Sequence, residues 1–334
     1  MKLRNFVLAG GLIFTQADGA SASFNAWVPE LAKRIAPDHE LKPLPDNSPV
    51  YSIQYKVTPH PPMLGISNGS RLLLVHSPVD LSMAWQERST KTRKWAFEIG
   101  TNIFIYASGK PDLRNRLENP FLPQTPTPTA PEKSVRVAQL KYDGNWNPEP
   151  AAWFRFSRYM QWEQGERLDL RPVAMEQLKP GEATLVTLTG TDAVKFSAQQ
   201  AAALREYVSN GGVLLIDACG GENAFTNSVR DDLLPTAFGD ATSELLRPEH
   251  PLFKGLKPGL SNDSPVRLRP YAIDRLGRLA PQIRMLKVGK GCVLFSPMDV
   301  TSGLLGTTTW GILGYESNSD QQFLRNVVTW AEAR

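Results

Sequence analysis

Residues with chemically useful side chains gather in three short stretches of this 334-residue chain. Tyr142 and Asp143 follow an apolar run that ends at Leu140. Asp217 and Cys219 follow Val213-Leu214-Leu215-Ile216, and Ser296 and Asp299 follow Cys292-Val293-Leu294-Phe295. In an open α/β sheet, ligands bind in the crevice beyond the carboxyl ends of the strands, so residues just after each strand are the ones to weigh. Asp143, Asp217 and Asp299 could converge on one rim. There their oxygens could hold a Mg²⁺- or Ca²⁺-like ion, or two carboxyls could share protons as an acid and a base. The competing and preferred reading is that each aspartate caps the turn or helix behind its strand.

A nucleophile is the sharper alternative. Ile216-Asp217-Ala218-Cys219-Gly220-Gly221 sets a thiol directly after a buried strand and before glycines. A thiol needs a base or a positive field to react near neutral pH, and His250 is the only histidine in this half of the chain. Standing between Glu249 and Pro251, His250 reads better as a residue that fixes a loop by hydrogen bonding. Glu222 and Asn223 follow the two glycines in a stretch where backbone N–H groups could approach a ligand, but no phosphate-binding glycine pattern is present. Trp146, between Asn145 and Asn147, is placed for a crevice mouth where an indole could stack on a ligand, and Trp85 with Gln86 could play a comparable part earlier in the chain.

The elements that would position these residues are legible as alternating strands and helices. Val135–Leu140, Leu168–Val173, Ala183–Thr189 and Val213–Ile216 read as strands. Pro148–Trp162 reads as a helix with Trp153, Phe156 and Met160 on one face, and Ser197-Ala198-Gln199-Gln200 is a capping box opening another helix. Such alternation predicts an open, mainly parallel sheet covered by helices. Arg267, Arg269, Arg275, Arg278 and Arg284 form the one locally basic stretch, with Val266–Arg269 spaced for the wet face of a strand and a weak candidate anion site.

One pattern occurs twice. Leu3-Arg4-Asn5-Phe6-Val7 with Gly10-Gly11-Leu12-Ile13-Phe14 recurs as Leu204-Arg205-Glu206-Tyr207-Val208 with Gly211-Gly212-Val213-Leu214-Leu215. Ser77-Pro78-Val79-Asp80-Leu81-Ser82 recurs as Ser296-Pro297-Met298-Asp299-Val300-Thr301. Two ordered matches indicate a tandem duplication. Asp299 has Asp80 as its counterpart, whereas Asp217 faces Gln16 and Cys219 faces Asp18. The first copy has no counterpart of 135–189, so the division expected is a partial α/β domain over 1–118, a Pro-rich linker over 119–134 and a complete α/β domain over 135–334. The first would be the back half of a domain whose front half lies upstream in a longer polypeptide.

Composition narrows the classes further. With 41% hydrophobic and 21% charged residues and a net charge of +4, the chain is ordinary globular material, and its mixed charges argue against a nucleic-acid partner. Two cysteines exclude a disulfide framework, and no run approaches the length of a membrane span. Residues 1–22 imitate a secretory signal, which would place the protein in the bacterial envelope or export it. The same stretch matches 204–225, so folded structure is the preferred reading.

The order Gln139-Leu140-Lys141-Tyr142-Asp143 with Trp146, then Leu204-Arg205 and Gly211–Asp217, then Glu249-His250-Pro251-Leu252-Phe253, resembles the bacterial domain-of-unknown-function family 4159. The resemblance covers nearly all of the second copy and the back half of one domain in the first. It implies two tandem domains similar to class I glutamine amidotransferase-like, flavodoxin-like folds. Some relatives set such domains behind an α/α-toroid resembling squalene cyclase or prenyltransferase repeats, so an upstream toroid is an expected partner domain. That fold hosts Cys-based amidotransferases, but their Gly-x-Cys-x-Gly elbow and His-x-Glu pair are missing here. Two functions are therefore carried forward: a non-catalytic ligand-binding or interaction module, which is preferred, and a hydrolase or transferase using the Asp143, Asp217 and Asp299 rim. No cofactor is expected beyond a candidate divalent metal.

Overall fold

The computed structural model describes residues 2–109, 133–221, 223–255, 266–277 and 281–334. Most of the expected Pro-rich linker, Glu222 and Arg278 lie outside them. The described residues separate into two compact units, 2–109 with 307–311, and 133–306 with 312–334.

In the first unit a helix over Lys2–Leu8 stops at Gly10, whose φ of 102° only glycine adopts freely. Four strands follow, β1 (Ile13–Gln16), β2 (Lys42–Pro43), β3 (Leu64–Ser67) and β4 (Leu72–Ser77), in the spatial order β1-β4-β3-β2. β1 runs parallel to β4, and the other two pairings are antiparallel. Successive residues of β4 feed opposite faces. Leu74 packs with Val7, Leu31 and Ile35, and Val75 packs with Leu81, just before the helix over Ser82–Gln86, and with Ile99 and Ile103 of the helix over Lys94–Ser108.

The second unit holds β5 (Lys133–Lys141), β6 (Glu166–Ala174), β7 (Leu185–Gly190), β8 (Val213–Ala218), β9 (Thr242–Leu245), β10 (Arg284–Val288) and β11 (Gly291–Ser296). Their order is β6-β5-β7-β8-β11-β10-β9. The first five are mutually parallel, while β10 and β9 add as an antiparallel edge. Every residue of β7, β8 and β11 is buried, which explains their mainly apolar sequences. The helix over Ala198–Ser209 opens with the expected Ser197/Gln200 capping box, and the helix over Ala152–Gln164 buries Trp153, Phe156 and Met160.

The architecture is mixed α/β with two sheets, as expected of an α/β fold; the second sheet is largely parallel and the first mixed. One element differs. Val266–Arg269 is no strand; Leu268 makes a single bridge to Tyr315, and Arg269 is buried, donating from Nε to the Tyr315 carbonyl at 3.0 Å just before the helix over Pro270–Leu276.

The duplication is visible as topology. The order β1-β4-β3-β2 repeats β8-β11-β10-β9 pairing for pairing: parallel, antiparallel, antiparallel. β8 continues sideways into β7. Among the described residues β1, its counterpart, is a sheet edge.

Candidate functional site

Asp217 is the penultimate residue of β8, in register with Thr189 of β7 and Ser296 of β11, so the sheet itself sets it between two neighbouring strand ends. It is fully buried. One carboxyl oxygen accepts from the Thr189 hydroxyl at 2.7 Å and the Thr301 hydroxyl at 3.1 Å. The other accepts from the Thr301 amide at 3.0 Å and the Val300 amide at 3.3 Å. Asp299, also fully buried, accepts from the Ser302 amide and the Ser302 hydroxyl, both at 2.7 Å, and from the Gly220 amide. The two aspartates therefore tie the loop after β8 to the loop after β11. Burial, and then the neighbouring Asp299, push the Asp217 carboxyl up to about 6, against the pull of the Thr189 hydroxyl and the Thr301 amide and hydroxyl.

The first unit builds the same latch from different side chains. Gln16 occupies the position of Asp217, and its side-chain oxygen accepts from the Leu81 amide at 2.9 Å and the Ser82 amide at 3.3 Å. Those amides are the counterparts of Val300 and Thr301. Asp80 accepts from the Met83 amide at 3.0 Å and the Gly19 amide at 2.8 Å, just as Asp299 accepts from Ser302 and Gly220. Ser77 donates to the Val79 carbonyl at 2.8 Å and Ser296 to the Met298 carbonyl at 2.7 Å. A neutral amide at the Asp217 position meets the same two backbone donors, so the position needs an acceptor oxygen and no charge.

Cys219 is buried with its sulfur 3.3 Å from the Ser302 hydroxyl. Burial, followed by the negative charge of Asp299, Glu149 and Asp217, pushes its thiol well above the usual range, the reverse of what a nucleophile needs. His250 serves elsewhere: its Nδ1 accepts from the Leu252 amide at 3.3 Å and caps the helix over Pro251–Lys254. Desolvation lowers its pKa.

The remaining candidates scatter among local tasks. The Tyr142 hydroxyl donates to the Thr189 carbonyl at 3.0 Å, its ring stacks on Phe225, and burial raises its pKa. Asp143 is exposed, whereas Asp217 and Asp299 are buried. Trp146 is half-buried with the Lys141 ammonium 5.7 Å from its ring centre. Asn223 caps the helix over Ala224–Ser228 and donates to the Cys219 carbonyl at 2.8 Å. Trp85 donates to the Ala96 carbonyl at 3.2 Å. Among the described residues, no three His, Cys, Asp or Glu side chains are grouped to hold a metal ion, so Asp143, Asp217 and Asp299 do not form one cluster.

Two features escape the strand-end reasoning. Asp320, on the helix over Ser317–Glu332, is buried with neither carboxyl oxygen hydrogen-bonded among the described residues. Burial, with Asp299 and Asp217 adding to it and Arg269 opposing, raises it well above the carboxylate range. In the first unit His76, buried in β4, lies 3.0 Å by Nδ1 from the Thr15 hydroxyl and 2.9 Å by Nε2 from the Asn25 side-chain oxygen. Asn25 can only accept there, so Nε2 carries the proton and Nδ1 accepts from Thr15. The repeat offers the only sequence signal, since His76 stands where Phe295 stands and Thr15 where Ile216 stands.

No helix among the described residues is long and apolar enough to cross a membrane. A search of curated proteins finds no match to the chain. A family model, domain of unknown function DUF4159, matches residues 1–108 and 136–291, two segments that fall on the two copies of the repeat. With both sequence segments matched over most of its length, the chain belongs to the DUF4159 family.

Proposed function

We propose that this chain is a non-catalytic interaction module, built from tandem flavodoxin-like units and serving a larger multidomain protein. The observation that carries the reading is the exchange of Gln16 for Asp217 on equivalent backbone donors. A carboxylate that acted on a substrate or metal would not be interchangeable with an amide, whereas a cap is. Asp299 and Asp80 repeat the same logic, and the Cys219 thiol sits in a negative, closed environment. What remains available on the surface is large apolar side chains, including Leu3, Phe6, Trp27, Phe104, Phe154 and Trp162.

The test is a thermal-unfolding titration of the full chain with Mg²⁺ and Ca²⁺, repeated on Asp217→Asn and Asp299→Asn, because an ion bound to the folded state must stabilise it. The interaction-module reading expects no ion-dependent change in midpoint. A rise of roughly 3 °C or more with one ion, lost in both variants, would move the assignment to a metal-assisted hydrolase or transferase.

A further inference from the structure

The two copies bury the same pattern to different extents. Leu204 and Tyr207 are 0% and 1% exposed, whereas their counterparts Leu3 and Phe6 are 51% and 53% exposed. All six residues of β8 are buried, while all four of β1 are only partly so. What covers the second copy is visible. Leu204 and Tyr207 pack in one cluster with Val186 and Leu188 of β7 and with Met175 and Leu178. The Tyr207 hydroxyl donates to the Ala183 carbonyl, just before β7, at 3.1 Å. Nothing among the described residues plays the part of β7 beside β1.

Edge chemistry points the same way. Natural sheets blunt edges with charge, proline or brevity to stop unwanted pairing. β6 carries Arg167, Asp169, Arg171 and Pro172; β2 is Lys42–Pro43; β9 is short, exposed and carries Glu244. β1, Ile13-Phe14-Thr15-Gln16, has no charge and no proline. Among the described residues it is the one sheet edge that carries neither charge nor proline.

We infer that the edge of β1 left unpaired among the described residues, together with Leu3 and Phe6, the counterparts of the residues that pack with β7, is the docking surface for an apolar strand of a partner polypeptide that runs parallel to β1 as Leu185–Gly190 runs parallel to β8. Main-chain hydrogen bonds along the edge supply affinity, and the seats beside Leu3 and Phe6 select the side chains. This deepens, and rests on, the interaction-module reading. A second copy of the chain fits less well, because β1 meeting β1 about a twofold axis would pair antiparallel.

The probe is a synthetic peptide of residues 183–192, the chain's own β7 sequence, added to the full chain at up to about 1 mM beside a scrambled control. Amide hydrogen exchange and binding are read on the parent, Leu3→Glu and Phe6→Glu. The inference expects slowed exchange at Ile13–Gln16 with the β7 peptide only. Both variants should weaken binding at least about tenfold while keeping the parent unfolding midpoint, since both side chains project from the surface. Unchanged exchange at Ile13–Gln16, or slowing confined to Thr242–Leu245, would overturn it. So would a chain already dimeric with Ile13–Gln16 protected before peptide is added, which would assign the edge to a second copy. An ion-induced stabilisation in the titration above would sink the non-catalytic reading without altering the exchange result, so the two failures are distinguishable.

Discussion

Asp299, itself fully buried, fixes two loops through the Ser302 and Gly220 amides and the Ser302 hydroxyl. Asp299→Ala strands those donors, and urea unfolding should show a loss of about 2–4 kcal/mol. His76 is a different case. His76→Phe copies the residue at 295 but leaves the Thr15 hydroxyl and the Asn25 carbonyl without their partner, at a cost of about 1–2 kcal/mol. Adding Thr15→Ile and Asn25→Thr, the residues at 216 and 226, should recover most of that loss in a mutant cycle. Additive losses would show that the three side chains do not act together. At this scale the sequence was legible in part. Aspartates after strands announced capping because that is where loops need acceptors. Their partners were not legible, since Asp217 and Thr301 are far apart in the chain and only the sheet register brings them together. His76 was invisible for the same reason: a lone histidine in an apolar strand says nothing until Thr15 and Asn25 are seen around it.

Helices and strands were read more completely, because their signals are local. The Ser197/Gln200 box forms as read, with the Gln200 amide 3.2 Å from the Ser197 hydroxyl and the Ser197 amide 2.8 Å from the Gln200 side-chain oxygen. Ser197→Ala should lower stability by about 1 kcal/mol in chemical unfolding, and an unchanged midpoint would mean that the cap is dispensable. Gly211 closes the same helix at a φ of 110°, matched by Gly10 at 102°. Val266–Arg269 misled because alternating arginines imitate a wet strand face, whereas Arg269 is drawn inward by the Tyr315 carbonyl. That contact is made by a residue remote in sequence, and no periodicity encodes it.

The whole chain is organised by duplication, and the repeat was the most informative thing in the sequence. It located Gln16 opposite Asp217, yet the meaning of that exchange emerged only when both side chains proved to accept from equivalent amides. It also predicts how the carboxylate behaves with pH. A folded-state pKa of about 6 lies above the ordinary 3.8, so the folded protein binds the Asp217 proton more tightly than the unfolded chain does. The stability from this group is full below about pH 3.8, falls as pH rises through about 6, and then stays level; the range amounts to about 3 kcal/mol. The most direct measurement is the unfolding free energy of the parent and Asp217→Asn from pH 4 to 8, compared as a difference curve. A cap predicts a folded variant that gains on the parent between pH 4 and 6 and is at least as stable above that. A variant destabilised equally at every pH, or one that has lost an ion-dependent stabilisation the parent possesses, would contradict the account and return Asp217 to the chemistry of a site.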